Sequence, residues 1–162
     1  MKSTPVTANA KTIFSDPIHF FAFGFGSGLS PIAPGTMGTL AVIPIYLLMQ
    51  PLSLLYYGLL VIAISLIGIW ICGESSKRLG VHDHKGIVWD EFAGYLITMF
   101  AVPFAWQWVI IGFLLFRLFD IWKPWPIYII DKQLKGGLGI MLDDVLAGIF
   151  AAIILQILIR IS

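Results

Sequence analysis

Long apolar runs separated by short polar stretches dominate this chain. A helix needs roughly 17–25 residues to cross a bilayer core. Met37–Leu52 is a thin candidate at the lower limit and carries Pro44, whereas Leu54–Cys72 is uninterrupted and uncharged. Phe92–Val102 continues through Pro103 into Trp106–Phe119, which together are too long for one crossing. Pro103 and the Trp106-Gln107-Trp108 cluster predict a tight turn at an interface, where Trp prefers to sit. Two short spans are therefore expected there, and Val145–Ile159 is the last. Pro17–Phe25 has Asp16 as its N-cap and Pro17 at the first helical position. It is too short to cross and reads as an interfacial or half-entering helix. The pattern predicts an all-α, polytopic membrane bundle of about five transmembrane helices plus a short N-terminal interfacial helix. Residues 1–15 read as a flexible N-terminal segment and 16–162 as a single membrane-embedded domain.

Composition strengthens this picture. The chain has 162 residues, 59% hydrophobic and only 12% charged, with a mean hydropathy of +0.92. A soluble domain is nearer half apolar and a quarter charged. A formal net charge of +1 offers nothing to a nucleic acid or another polyanion. The single cysteine, Cys72, excludes an intramolecular disulfide framework and a multi-cysteine metal site. The first fifteen residues lack the charged-then-apolar order of a cleaved signal. Oligomeric state has no signature in the chain.

The connections divide by charge. Gln50–Ser53 and Pro103–Gln107 are charge-free turns, while Gly73–Glu91 and Asp120–Asp144 are polar and charged. Five crossings place the amino terminus and both charged loops on one face. Of the ten Lys and Arg residues only Arg160 falls on the other. That excess marks the charged face as cytoplasmic.

Four stretches meet on this face: GFGSGLSPIAPGTMGTL, GVHDHKGIVWDEFAGY, FRLFDIWKPWP and GGLGIMLDDVLAG. Asp90 and Glu91 are expected to start the third span, and Asp143 and Asp144 the fifth, with Asp120 ending the fourth. One acid at a helix N-terminus is an ordinary cap, contributing about 0.3–1 kcal/mol. A second adds repulsion, and Asp120 lies where the helix dipole disfavours an anion. Five carboxylates on neighbouring helix ends need a cation, and Mg²⁺ takes carboxylate, water and phosphate oxygens. Asp90, Glu91, Asp143 and Asp144 are the expected metal ligands. Arg117, three residues before Asp120, and Lys123, held before Pro124, are candidates to bind phosphate. Ser27 and Thr36 in the Gly-rich stretch could add hydroxyl or N–H contacts. Asp83 or Asp120 could position a water or attack directly, and His82 and His84 are possible acid–base groups.

The spacing from Cys72 to Arg78 mimics the C-x5-R loop of cysteine phosphatases, but Cys72 ends an apolar helix and Glu74 would repel a phosphate.

GSGLSPIAPGT, HDHKGIVWDE, FDIWKPWPI and GGLGIMLDD, in that order, resemble the phosphatidylglycerophosphatase A family from about Pro17 to the last helix. The resemblance implies an all-helical, Mg²⁺-dependent, multi-pass phosphatase of the bacterial inner membrane. It would remove the terminal phosphate of phosphatidylglycerophosphate, leaving phosphatidylglycerol, with the active site facing the cytoplasm. Two other readings compete. A phospho-alcohol transferase would carry a D-G-x2-A-R motif, and the chain has no Asp-Gly. A small transporter or ion-binding protein would place ionisable groups at mid-membrane, whereas here the acids gather at helix ends.

Overall fold

In the computed structural model of the protein, residues 8–81 and 84–162 are described. They form eight α-helices and one 3-10 stretch, with no strand among the described residues.

The chain begins with α1 (Ala10–Ser15), where the Asn9 side chain accepts from the Thr12 N–H. This helix falls inside the stretch expected to be flexible. Its ordering has a local cause: Ile13 is fully buried against the following elements. Residues 1–7 lie outside the described residues. α2 (Pro17–Ala22) starts as its sequence predicts, with Asp16 accepting from the Ile18 N–H and Pro17 at the first position. A tight 3-10 stretch, Gly24–Leu29, follows instead of a continued helix, with Gly24, Phe25 and Gly26 at positive φ.

The apolar runs become α3 (Pro34–Met49), α4 (Leu54–Leu79), α5 (Trp89–Thr98), α6 (Trp106–Trp122) and α8 (Gly136–Ile161), with the short α7 (Ile127–Gln133) before the last. α4 and α8, at 26 residues each, are long and apolar enough to cross a membrane. At 1.5 Å per residue each extends about 39 Å. Five full crossings are not confirmed, because α3 is a shorter apolar helix and α5 has only ten residues. At about 15 Å, α5 reaches half a hydrocarbon core. It stops because Met99 leaves the helix and Ala101 turns the chain at φ 58.

The charged loops are also shorter than expected. α4 runs on to Leu79 and ends on Gly80 in the left-handed conformation, a common C-cap. α8 begins at Gly136, so Asp143 and Asp144 sit about two turns inside it rather than at its start. They do not cap it.

α8 is the central helix and packs against α4, α5, α6 and α7. It comes close to two neighbours: a Cβ on Gly137 would run into the Ile69 carbonyl of α4, and one on Gly148 into the Gly94 carbonyl of α5. Small residues permit such close backbone approach inside membranes. Polar side chains in the interior are spent on backbone carbonyls: Tyr57 Oη donates to Leu96 O (2.8 Å), Tyr95 Oη to Val109 O (3.1 Å) and Trp89 Nε1 to Ile64 O (3.1 Å). Leu48, Leu55, Ile62, Leu66 and Ile121 face outward and exposed, as suits a lipid-facing surface. The packing brings the first turns of α3 and α5, the end of α6 and the second turn of α8 to one end of the bundle.

Candidate metal and phosphate site

A cavity of about 280 Å³ opens at that end. Six carboxylates line it (Asp90, Glu91, Asp120, Asp131, Asp143, Asp144) against three cations (Lys85, Arg117, Lys123). The excess of three negative charges would repel a bare phosphate and favours a bound cation.

The groups are sorted by helix geometry. Arg117 and Asp120 are three apart on α6, and Arg117 Nη1 lies 2.6 Å from Asp120 Oδ2. The same nitrogen reaches across to Glu91 Oε2 on α5, at 2.5 Å. Thr39 Oγ1 on α3 donates to that Glu91 oxygen at 2.9 Å. Gly35 makes the approach of α3 possible, because a Cβ there would overlap the Glu91 carboxylate. Glu91 is thus committed to a cation and a hydroxyl.

Lys123 ends α6 in the left-handed conformation (φ 45, ψ 60), an unfavourable geometry for a residue that precedes proline. Its reward is a fork: Nζ lies 2.8 Å from Asp131 Oδ1 and 2.6 Å from Asp143 Oδ2. Burial works against the ammonium, but Asp143 and Asp131 outweigh it and hold the Lys123 pKa above its ordinary value.

Asp120, Asp143 and Asp144 each offer an oxygen, all within 4.8 Å of one another. Asp143 Oδ1 and Asp144 Oδ2 are buried with no hydrogen-bond partner. An unpartnered buried carboxylate oxygen is costly, so the arrangement fits a hard divalent cation such as Mg²⁺. Arg117 Nε is a buried donor without a partner beside them. Asp90 Oδ1 accepts the Glu91 N–H at 3.1 Å, and Asp90 has no cation partner among the described residues.

Of the expected residues, the structure brings Asp90, Glu91, Asp120, Asp143, Asp144, Arg117 and Lys123 to one cavity. It regroups them: Asp120 joins Asp143 and Asp144, while Glu91 turns to Arg117. Ser27 and Thr36 do not line the cavity. Ser27 Oγ points back to Phe23 O at 3.5 Å, and the hydroxyl of α3 that reaches the site is Thr39, one turn further on. His84 is a loop organiser rather than a lining group. Its Nδ1 accepts the Gly86 N–H at 3.0 Å, and its ring packs on Phe23. His82 and Asp83 lie outside the described residues. Asp131, Lys85 and Gly35 are among the lining residues that sequence reasoning passed over. For Asp131 the signal was its position eight residues after Lys123, across a Pro-rich turn.

A second constellation imitates a hydrolase triad. His19 Nδ1 lies 2.8 Å from Ser75 Oγ, and His19 Nε2 lies 3.8 Å from Asp16 Oδ2. Ser75 is fully buried, and neither it nor His19 lines the acidic cavity. These groups, with Arg78 paired to Asp16 and Glu74, clamp α2 to the end of α4. Cys72 is likewise fully buried, with Sγ 3.9 Å from Met141 Sδ, and does not face the acidic cavity.

An all-helical bundle with long apolar helices and a polar cavity that gathers three carboxylates beside an arginine and a lysine is of the membrane-associated class, with side chains suited to a divalent cation and an anion. The model of the phosphatidylglycerophosphatase A family matches residues 20–159, and the chain belongs to that family, which comprises lipid phosphatases. It is 52% identical to the phosphatidylglycerophosphatase A of Escherichia coli K12 over 149 residues, 91% of this chain and 87% of the relative. Over 145 residues it is 48% identical to the Haemophilus influenzae phosphatidylglycerophosphatase A, covering 86% of both chains. A Bacteroides thetaiotaomicron protein provisionally named a phosphatidylinositol-3-phosphatase is 41% identical over 142 residues, 83% of this chain and 88% of that one. No solved structure matches the chain.

Proposed function

We propose that the protein removes the terminal phosphate of phosphatidylglycerophosphate, leaving phosphatidylglycerol, in a Mg²⁺-dependent reaction at the cytoplasmic face of a bacterial inner membrane. The observation that carries the chemistry is the pair of buried, unpartnered oxygens of Asp143 and Asp144 beside Asp120. Mg²⁺ held by these three residues would polarise the phosphoryl oxygens and acidify a bound water.

The chain's own groups have separable tasks. Arg117 and Lys123 counter the charge of the phosphate, which is most of the work in phosphoryl transfer. Their carboxylate partners fix both cations before substrate arrives, so little reorganisation remains. Asp90 Oδ2 takes the proton of the attacking water. The water oxygen bonds to phosphorus, the bond from phosphorus to the glycerol oxygen breaks, and the proton passes to that oxygen. Asp83, outside the described residues, keeps its expected place as a second candidate for positioning the water. The cavity has room for a phosphorylated polyol, so the acyl chains stay in the bilayer. Phosphatidylglycerophosphate and a phosphatidylinositol monophosphate share one headgroup plan: a lipid-side phosphodiester, a polyol and a terminal phosphomonoester.

In the membrane, α3 to α6 and α8 lie as five alternating segments, with α5 entering only half-way and α1 and α2 at the interface. The clustering of Lys and Arg at the cavity end makes that end cytoplasmic. Single-cysteine variants in a Cys72→Ser background test this. Lys132→Cys should label from the cytoplasm and Ser162→Cys from outside; labelling from one side overturns the topology. The function is tested by phosphate release from phosphatidylglycerophosphate in detergent micelles, before and after chelation. Release that stops on chelation and returns with Mg²⁺ supports the reading, and no release from this lipid removes it.

A further inference from the structure

Three cations line the acidic cavity, and two are already engaged. Arg117 is held by Glu91 and Asp120, and Lys123 by Asp131 and Asp143. Lys85 lines the same cavity, is exposed, and has no carboxylate partner among the described residues. Its exposure places it at the mouth, whereas Asp143 and Asp144, at 7% and 2% exposure, form the floor.

The backbone that carries Lys85 is firmly seated. The Gly86 N–H donates to His84 Nδ1 at 3.0 Å, and the Ile87 N–H to His84 O at 2.8 Å. The Val88 N–H donates to Ala22 O at 2.8 Å, joining this loop to α2. A Cβ on Gly86 would meet the ring of Phe23 and the Gly28 carbonyl, so the loop lies tightly against the N-terminal elements. An ammonium on an anchored loop, with no ion-pair partner among the described residues, is available to an external anion.

We infer that Lys85 binds the phosphodiester of the substrate headgroup, so that the site selects lipids carrying two phosphates separated by a polyol. The inference rests on the phosphatase reading above. The terminal phosphate must reach the carboxylate floor. The second phosphate then lies one glycerol nearer the lipid, at the mouth, where Lys85 stands. A lysine can meet this task because a phosphodiester carries a single negative charge, which one ammonium neutralises. Charge-assisted hydrogen bonds of this kind are stronger than neutral ones.

The test compares Lys85→Gln and Lys85→Arg with the wild-type chain in detergent micelles. Lys85→Gln should raise the KM for phosphatidylglycerophosphate about tenfold, and the inhibition constant of phosphatidylglycerol by a similar factor. Inhibition by inorganic phosphate, which probes the floor alone, should hold, and Lys85→Arg should restore most of the loss. An unchanged phosphatidylglycerol inhibition constant overturns the inference. So does an equal weakening of inorganic phosphate, which would assign Lys85 to the terminal phosphate. Native mass spectrometry of phosphatidylglycerol binding to wild type and Lys85→Gln gives an arm independent of turnover. A binding difference in a protein that releases no phosphate would sink the phosphatase reading and keep the lipid site.

Discussion

Lys123 Nζ lies 2.6 Å from Asp143 Oδ2, while the other oxygen of that carboxylate is buried with no partner. One side of Asp143 is therefore neutralised within the protein and the other is left facing the cavity. Asp144 has no such lysine among the described residues, and its own Oδ2 is buried and unpartnered as well. The pair divides labour: Asp143 couples the floor to the cation that ends α6, and Asp144 faces the cavity alone.

The amide variants separate a ligand from a cap. Asp143 and Asp144 lie inside α8, so capping cannot explain them. Asp144→Asn should lower kcat/KM at limiting Mg²⁺ by at least about 100-fold. Asp143→Asn should fall less and recover partly with excess Mg²⁺, because Lys123 already offsets one of its oxygens. Glu91→Gln should act differently, weakening the hold on Arg117 and raising KM without changing the Mg²⁺ requirement. Steady-state kinetics across a Mg²⁺ titration decides this. Wild-type rates in both Asp variants would remove the metal site.

Gly35 sets how close α3 comes to α5. Gly35→Ala puts a methyl group into the Glu91 carboxylate and close to the Arg117 guanidinium. The expected result is a loss of about 1–3 kcal/mol in stability and a drop in turnover, since overpacking displaces the neighbours. Gly58→Ala is the control: its new Cβ would meet only Phe100, at 3.4 Å. Thermal unfolding in detergent beside activity measures both. Equal behaviour of the two variants would show that the α3 approach is not needed.

The clamp at α2 carries a pH dependence. Burial holds His19 below its ordinary pKa of 6.5; Asp16 opposes this and Arg78 adds to it. The folded protein thus binds this proton less readily than the unfolded chain. The stabilisation is complete above about pH 6.5 and fades as pH falls below it towards the depressed folded pKa. Unfolding temperatures from about pH 7.5 to about pH 5.5 should fall more steeply for wild type than for His19→Gln. Parallel curves would show that His19 contributes nothing to the acid sensitivity.

Cys72 should be dispensable. It is fully buried between α4 and α8, packed against Met141 rather than exposed to the cavity. Cys72→Ser should retain most of its turnover, and a maleimide should leave the native protein active. Complete loss of turnover in a folded Cys72→Ser protein would return the C-x5-R reading to consideration.

Much of this was legible in the residues themselves. Leu54–Cys72 had to become a long apolar helix, because nothing in it breaks the run or pays for its exposure to water. Asp16 followed by Pro17 had to start a helix. The four motif stretches identified the family, and Asp120, with doubled acids on two other segments, announced an acidic cluster. The partnerships were decided only in three dimensions. Glu91 follows Asp90 by one residue, yet a helix turns them about 100° apart. One meets Arg117 from α6, and the other keeps no cation among the described residues. Asp120 joins Asp143 and Asp144 because α6 packs directly on α8, while Gly94 and Gly148 let α5 touch the same helix. The short reach of α5 also hid in the sequence: Phe92–Val102 is apolar throughout, and apolarity alone does not say where backbone hydrogen bonding stops. Periodicity and composition report what each segment must bury. Which carboxylate meets which cation depends on crossing distances between helices far apart in the chain, and those are set by packing.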